Sequence, residues 1–239
     1  MDKATILQVL SQGQVTLLGQ FTHSSNFTFL VACALDGVEV RAVYKPARGQ
    51  VPLWDFESAS LPRREAAAYL LSEQTGWDLV PPTVYRTRGL PASAGSLQLY
   101  IEHDPDAHYF NLGESERESL KPMVVFDLVV NNADRKGGHV LKDRKGRLWG
   151  IDHALCFHAE NKLRTVIWDF AGQPIPEELL KALEKLSSGL EEPPLSQLLG
   201  KWLSREEIRA TRERCLALLQ SGCFPQPESD RWMIPWPPL

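Results

Sequence analysis

The run Asn131-Asn132-Ala133-Asp134-Arg135-Lys136-Gly137-Gly138-His139-Val140-Leu141 constrains this chain more than any other stretch. An apolar segment, Val124 to Val130, leads into it, and a short apolar strand begins at His139. A second hydrophobic segment, Leu148 to Ile151, then ends in Asp152 and His153. The arrangement predicts two buried elements side by side, each delivering a carboxylate, Asp134 or Asp152, to a loop at the edge of a core.

A chain of 239 residues with 43% hydrophobic content has enough apolar material for one large domain or two lobes around a cleft. Its net charge of -4 and pI near 5.9 argue against gripping nucleic acid or an anionic membrane, so no nucleic-acid partner is expected. Cys33, Cys156, Cys215 and Cys223 form no CxxC pair, which predicts reduced thiols and a cytoplasmic address. The N-terminus lacks a basic region leading into a long apolar run, and no stretch approaches the roughly 18 apolar residues of a membrane span. Neither secretion nor stable membrane insertion is expected.

Val15 to Gly19, Phe27 to Leu35 and Val38 to Tyr44 are rich in strand formers, and Asp36-Gly37 is a two-residue hairpin signal. Three antiparallel strands are expected from them. Pro62-Arg63-Arg64-Glu65 opens an alanine-rich helix that runs to about Thr75, with Gly76 as its stop. Pro81-Pro82 begins an extended segment, and Leu97 to Ile101 reads as another strand. Glu102-His103-Asp104-Pro105-Asp106 is polar and turn-forming, and the pattern beyond it is mainly helical. The fold class expected is therefore α+β, with a sheet and helix over 1–102 and a mainly helical lobe over 103–239.

In the second part, helices are expected from about Leu120 to Asn131, from Pro176 to Leu186 with a stop near Gly189, and from about Arg205 to Leu219. Ser204 and Glu207 fit a capping box for the last of these, and Gly222 fits its stop. The proline-rich tail from Trp232 to Leu239 reads as an extended strap, with Trp232 and Trp236 favouring burial.

The blocks Phe126 to Leu141 and Gly150 to Phe157 resemble the catalytic and metal-binding loops of phosphatidylinositol 3-/4-kinase-like enzymes. The run Asn132 to His139 is also similar to a small bacterial family of such proteins. The resemblance implies a two-lobed protein-kinase-like fold, ATP as nucleotide, and Mg2+ or Mn2+ as metal. Asp134 matches the catalytic aspartate, Arg135 the arginine that follows it, and Asp152 the metal-binding aspartate that starts the activation segment. Lys136 is placed as a cation for the transferring phosphoryl group. His139 stands where these kinases carry a metal-binding asparagine. Imidazole suits magnesium less well than an amide oxygen and manganese better, so the departure bears on metal preference.

Upstream, Lys45 closes the third strand and Glu65 follows on the first expected helix, the order of a phosphate-contacting lysine and the glutamate that fixes it. Ser24, Ser25 and Asn26 stand where such a fold covers the phosphates, although they are also ordinary hairpin residues. Leu99, Tyr100 and Ile101 stand at the hinge, where backbone groups bond adenine and apolar side chains sandwich it.

The leading expectation is an ATP-dependent phosphotransferase whose phosphoacceptor is a protein, a lipid head group or a small molecule. Lys162 and Arg164 are candidates for binding an anionic head group. A pseudokinase, binding nucleotide without turnover, is the alternative that His139 motivates. A third reading, a metal-dependent hydrolase built on Asp134, His139, Asp152, His153 and His158, leaves Lys45 and Glu65 without a role.

Overall fold

The computed structural model describes residues 1–22, 26–228 and 232–239, with Ser58 described by its backbone alone. It opens with a helix, α1 (Lys3–Gln12), that the strand-rich reading of the N-terminus did not anticipate. The Asp2 carboxylate accepts the Thr5 N–H at 2.9 Å, so the signal was an N-cap two residues from the chain start. Only Val9 and Leu10 of α1 are buried, too few for a helical stripe to stand out from the sequence.

Three strands follow, β1 (Gln14–Gln20), β2 (Phe29–Leu35) and β3 (Val38–Pro46), matching the expected meander. The β2–β3 turn places Asp36 and Gly37 at φ 50° and 79°, the pair of left-handed residues that a tight hairpin needs. β4 (Thr83–Arg86) and β5 (Gly95–Leu99) complete an antiparallel sheet of order β1-β2-β3-β5-β4. Val9 and Leu10 pack on one face of it against Val31, Cys33, Val40, Ala42 and Leu97.

The helix α2 (Leu61–Thr75) has Pro62 in its first turn and ends at Gly76 in the left-handed conformation, φ 71°. Ala66, Ala67, Ala68 and Leu71 are all buried, because α2 lies between the sheet and the helices that follow. Those helices are α3 (Glu114–Glu118), α4 (Lys121–Val130), α5 (Glu177–Glu191), α6 (Leu195–Leu199) and α7 (Arg205–Ser221). A two-stranded ribbon, β6 (Val140–Lys142) and β7 (Leu148–Gly150), sits after α4. Met123, Val125, Phe126 and Val130 of α4 share one core with Leu183 and Leu186 of α5, Cys215 and Leu218 of α7, and Ala67 and Leu71 of α2.

Two expectations need correction. α5 continues through Gly189 to Glu191 instead of stopping, because Leu195 of α6 packs where a side chain at Gly189 would project, and the helix ends only ahead of Pro193. In the tail, Met233 is buried but Trp232 and Trp236 are 67% and 78% exposed. The strap is held by its backbone: the Met233 carbonyl accepts the Thr165 N–H, and the Pro238 carbonyl accepts the Gly137 N–H at 2.8 Å. Among the described residues no helix is long and apolar enough to cross a membrane.

The capping box on α7 is formed in both directions, Ser204 Oγ accepting the Glu207 N–H at 3.1 Å and Glu207 Oε2 accepting the Ser204 N–H at 2.7 Å. Ser204→Ala removes one of the two bonds and should lower stability by about 1 kcal/mol. Urea denaturation checks this, and an unchanged midpoint would mean that the cap contributes nothing.

Candidate active site

Asn131 ends α4 in the left-handed conformation, φ 55°, and its amide donates to the carbonyls of His158 and Glu160 at 2.9 and 2.7 Å. Asn132 donates to Asp127 Oδ1 at 3.0 Å and accepts the Asp134 N–H at 3.0 Å. The two asparagines thus hold the turn that leaves α4, Asn131 tying it to the 158–160 segment and Asn132 bridging Asp127 and the Asp134 N–H.

Arg135 has no solvent exposure, and all five of its N–H groups are used. Nε and Nη2 form a fork onto Asp127 at 2.7 and 2.9 Å, and Nη1 donates to the carbonyls of His139 and Ile151 at 3.0 and 2.9 Å. The second Nη2 hydrogen meets His153 Nε2 at 2.8 Å. Every donor of this residue, expected among the catalytic set, is therefore engaged within the protein. Its side chain ties the Asp134 loop to the strand end that carries Asp152. Sequence reading missed its partner Asp127, although a single carboxylate inside an apolar helix is itself a signal, since a buried charge requires a counter-charge.

Asp152 follows β7 with φ 59°, a backbone conformation that costs a non-glycine residue of the order of 1 kcal/mol. Lys45, at the end of β3, donates to Asp152 Oδ1 at 2.9 Å and to Glu65 Oε1 at 2.5 Å. Three residues far apart in sequence meet at one ammonium. Burial alone would make Lys45 easier to deprotonate, but Asp152 and Glu65 outweigh it and hold its pKa above the ordinary lysine value. For Asp152, burial opposes ionisation, yet the Lys45 ammonium outweighs it and holds the pKa well below the carboxylate range.

His139 Nδ1 lies 2.9 Å from the Asp134 carbonyl oxygen, which only accepts, so Nδ1 carries the proton. The lone pair of Nε2 then faces Asp152 Oδ2, 3.4 Å away. Burial pushes the imidazole pKa down to about 4, keeping it neutral. A neutral imidazole whose other nitrogen is fixed by a carbonyl, beside an ionised carboxylate oxygen, fits a divalent metal. They would be two protein ligands, and among the described residues no group of three or more His, Cys, Asp or Glu side chains is placed for a metal ion. A hard cation that keeps water and takes phosphate oxygens suits a site of two protein ligands better than a structural metal does.

Asp134 is partly exposed, and its pKa is pushed up to about 6, first by burial; Lys136 opposes the shift and Asp152 adds to it. Lys136 Nζ stands 3.8 Å from Asp134 Oδ2. A carboxylate with raised proton affinity and a cation beside it is chemically suited to general-base work.

The remaining candidates fall in different places. Ser24 and Ser25 lie outside the described residues, and the Asn26 carboxamide accepts the Val51 N–H at 2.7 Å, tying one loop to the next. At the hinge, the Leu99 and Tyr100 N–H groups already donate to the carbonyls of Pro82 and Arg41, so these donors serve the sheet. Leu99 and Ile101 pack with Leu141, Trp149 and Ile151, an apolar patch drawn from β5, β6 and β7 on the Asp152 side. Leu141, Trp149 and Ile151 were missed as candidates because their strands read simply as core. Lys162 is engaged by Asp55 and Glu160 at 3.4 and 3.2 Å, whereas Arg164 is exposed. His158 packs edge-on to Phe56 with its Nδ1 accepting the Glu160 N–H, and buried His153 accepts from Arg135.

Removing Asp127 leaves the Arg135 charge buried without its counter-charge, so Asp127→Ala should cost about 3–5 kcal/mol. Equilibrium denaturation measures it. A loss under about 1 kcal/mol would show that the Asp134 and Asp152 loops do not depend on this pair.

Residues 58–194 match the family model described as Phosphatidylinositol 3- and 4-kinase. Protein Rv2133c of Mycobacterium tuberculosis is 39% identical, over 96% of this chain and 94% of that protein. Phosphatidylinositol 4-kinase gamma 4 of Arabidopsis thaliana is 27% identical over 66% of this chain and 32% of its own length. The solved structure of the Helicobacter pylori proinflammatory kinase CtkA superposes with a TM-score of 0.52 at 12% identity, covering 90% of this chain and 94% of that one. The Golgi casein kinase gives a TM-score of 0.50 at 13% identity, covering 91% and 75%. At such identities the likeness is one of fold, and the fold is the two-lobed one of protein kinases. The family model spans more than half of the chain and one relative aligns nearly end to end: the chain belongs to the phosphatidylinositol 3- and 4-kinase family, a kinase-like phosphotransferase in class.

Proposed function

We propose that this protein transfers the γ-phosphoryl group of ATP to an acceptor hydroxyl, with 1–102 as the lobe that covers the nucleotide and 103–239 as the lobe that carries the chemistry. The observation that carries the reading is the position of Lys45 Nζ, between Glu65 and Asp152 at 2.5 and 2.9 Å. An ammonium fixed by two carboxylates is aimed without side-chain freedom, which suits it to α- and β-phosphate oxygens. The apolar patch of Leu99, Ile101, Leu141 and Ile151 gives the adenine ring a surface on the same side.

In this reading Asp134 orients the acceptor hydroxyl and takes its proton as the oxygen attacks the γ-phosphorus. The bond from that phosphorus to the bridging oxygen breaks, and ADP leaves with the electron pair. Lys136 lies beside the transferring group, where its charge offsets what builds on the equatorial oxygens. Asp152 Oδ2 and His139 Nε2 would hold Mg2+ or Mn2+, which when bound neutralises charge on the β- and γ-phosphates. The imidazole tilts the preference toward manganese. The acceptor, whether protein, lipid head group or small molecule, meets the exposed Arg164 and the tail strap on the Asp134 side.

A second reading, nucleotide binding without turnover, draws on the same geometry. Lys45 already occupies Asp152 Oδ1, leaving the metal one carboxylate oxygen and an imidazole. The hydrolase reading has no comparable support, because His153 is taken by Arg135 and His158 by Phe56.

Asp152→Asn should abolish metal-dependent ATP binding, whereas Asp134→Asn should keep binding and lose turnover by about a hundredfold or more. Calorimetric titration paired with a γ-labelled transfer assay separates the two roles. The same loss of binding in both variants would refute the division of labour. Tight binding by wild type with no turnover under magnesium or manganese would select the second reading.

A further inference from the structure

Arg64 directly precedes Glu65 on α2, about 100° away around the helix, and so faces a different neighbour. It is 7% exposed. Its Nη1 donates to the Cys156 carbonyl at 2.6 Å, its Nε to Ser60 Oγ at 3.1 Å, and its Nη2 pairs with Glu207 Oε1. The guanidinium also lies 5.0 Å from the centroid of the Phe56 ring. Cys156 belongs to the segment that begins at Asp152, and Glu207 to the first turn of α7. The two oxygens of Glu207 divide the work, Oε2 capping α7 through the Ser204 N–H and Oε1 holding Arg64.

This linkage matters because the three residues that directly follow Glu65, Ala66, Ala67 and Ala68, are buried but small, while the larger buried side chains of α2, Leu61, Tyr69 and Leu71, lie to either side of them. Small side chains interdigitate little, so packing next to Glu65 fixes its direction less firmly than a polar clamp does. Yet Glu65 reaches Lys45 only when α2 sits inward, and a helix that carries such a glutamate needs something to hold it there.

We propose that Arg64 is the positioning residue that clamps α2 to Cys156 and Glu207, so that the Lys45–Glu65 pair is formed in the unmodified chain. The Asp152 segment then needs no added phosphate to draw α2 inward, because its own Cys156 carbonyl and the Glu207 carboxylate supply the acceptors. The proposal rests on Lys45 contacting the nucleotide.

The test is a double-mutant cycle on ATP affinity, measured with magnesium present. Arg64→Met should weaken ATP binding about tenfold, the size of one or two charge-assisted hydrogen bonds, and Glu207→Gln should do the same with less disturbance of the core. Neither change should weaken binding further in a Lys45→Met background, because the lysine it acts through is gone. Ser204→Ala, which keeps the backbone N–H on Glu207, should lower the Tm without changing ATP affinity. Equal losses in both backgrounds would overturn the proposal, as would full affinity in a folded Arg64→Met or Glu207→Gln protein, or a Ser204→Ala loss as large as that of Arg64→Met. If Lys45→Met itself leaves ATP affinity unchanged, the nucleotide reading falls first and takes this one with it.

Discussion

The fully buried guanidinium of Arg135 is the constraint on which the rest of the site depends. A charge without water must have every donor met, and here the five acceptors come from four pieces of chain: α4 through Asp127, the 139 carbonyl at the head of β6, the 151 carbonyl at the end of β7, and His153 beyond it. Satisfying one side chain therefore fixes the distance between the loop that bears Asp134 and the strand end that bears Asp152. The left-handed backbone at Asp152 is tolerated because the carbonyl before it and the histidine after it are both held by the same group.

With the loops fixed, the same burial produces opposite electrostatics at the two carboxylates. Asp152 is met by the Lys45 ammonium and stays ionised against the pull of desolvation. Asp134 has Lys136 only at 3.8 Å and keeps a raised proton affinity. One group is thereby suited to a metal and the other to a proton, the separation of roles that a pair of acids needs. Lys45 extends the arrangement across the molecule, joining β3, α2 and the end of β7 through two short contacts.

Much of this was legible in the sequence where a residue's role is set locally. The Asp36-Gly37 hairpin, the Ser204–Glu207 box and the Gly76 and Gly222 stops are each decided within a few residues, and each forms as read. The order of Lys45, Glu65 and Asp152 pointed to residues that the fold brings into direct contact, Lys45 donating to both carboxylates. What was not legible depends on partners far away in sequence. Arg135 looks like an active-site cation until Asp127 is seen beneath it, and Gly189 looks like a stop until Leu195 arrives against it. The tail tryptophans looked buried because aromatic rings favour burial, but the strap is fastened through the carbonyls of Met233 and Pro238, which carry no side-chain signal. His139 falls between the two cases: its departure from asparagine was visible, but the neutral tautomer facing Asp152 was not.

In the proposed function Lys45, Asp152 and His139 form one phosphate and metal site, with Asp134 set apart for the acceptor. A crystal structure with a non-hydrolysable ATP analogue and Mn2+, read at the manganese absorption edge, tests it most directly. The expected result is an anomalous peak bonded to Asp152 Oδ2 and His139 Nε2, Lys45 on the α- or β-phosphate, and no metal bond to Asp134. A manganese peak that bypasses His139, or phosphates lying away from Lys45, would contradict it.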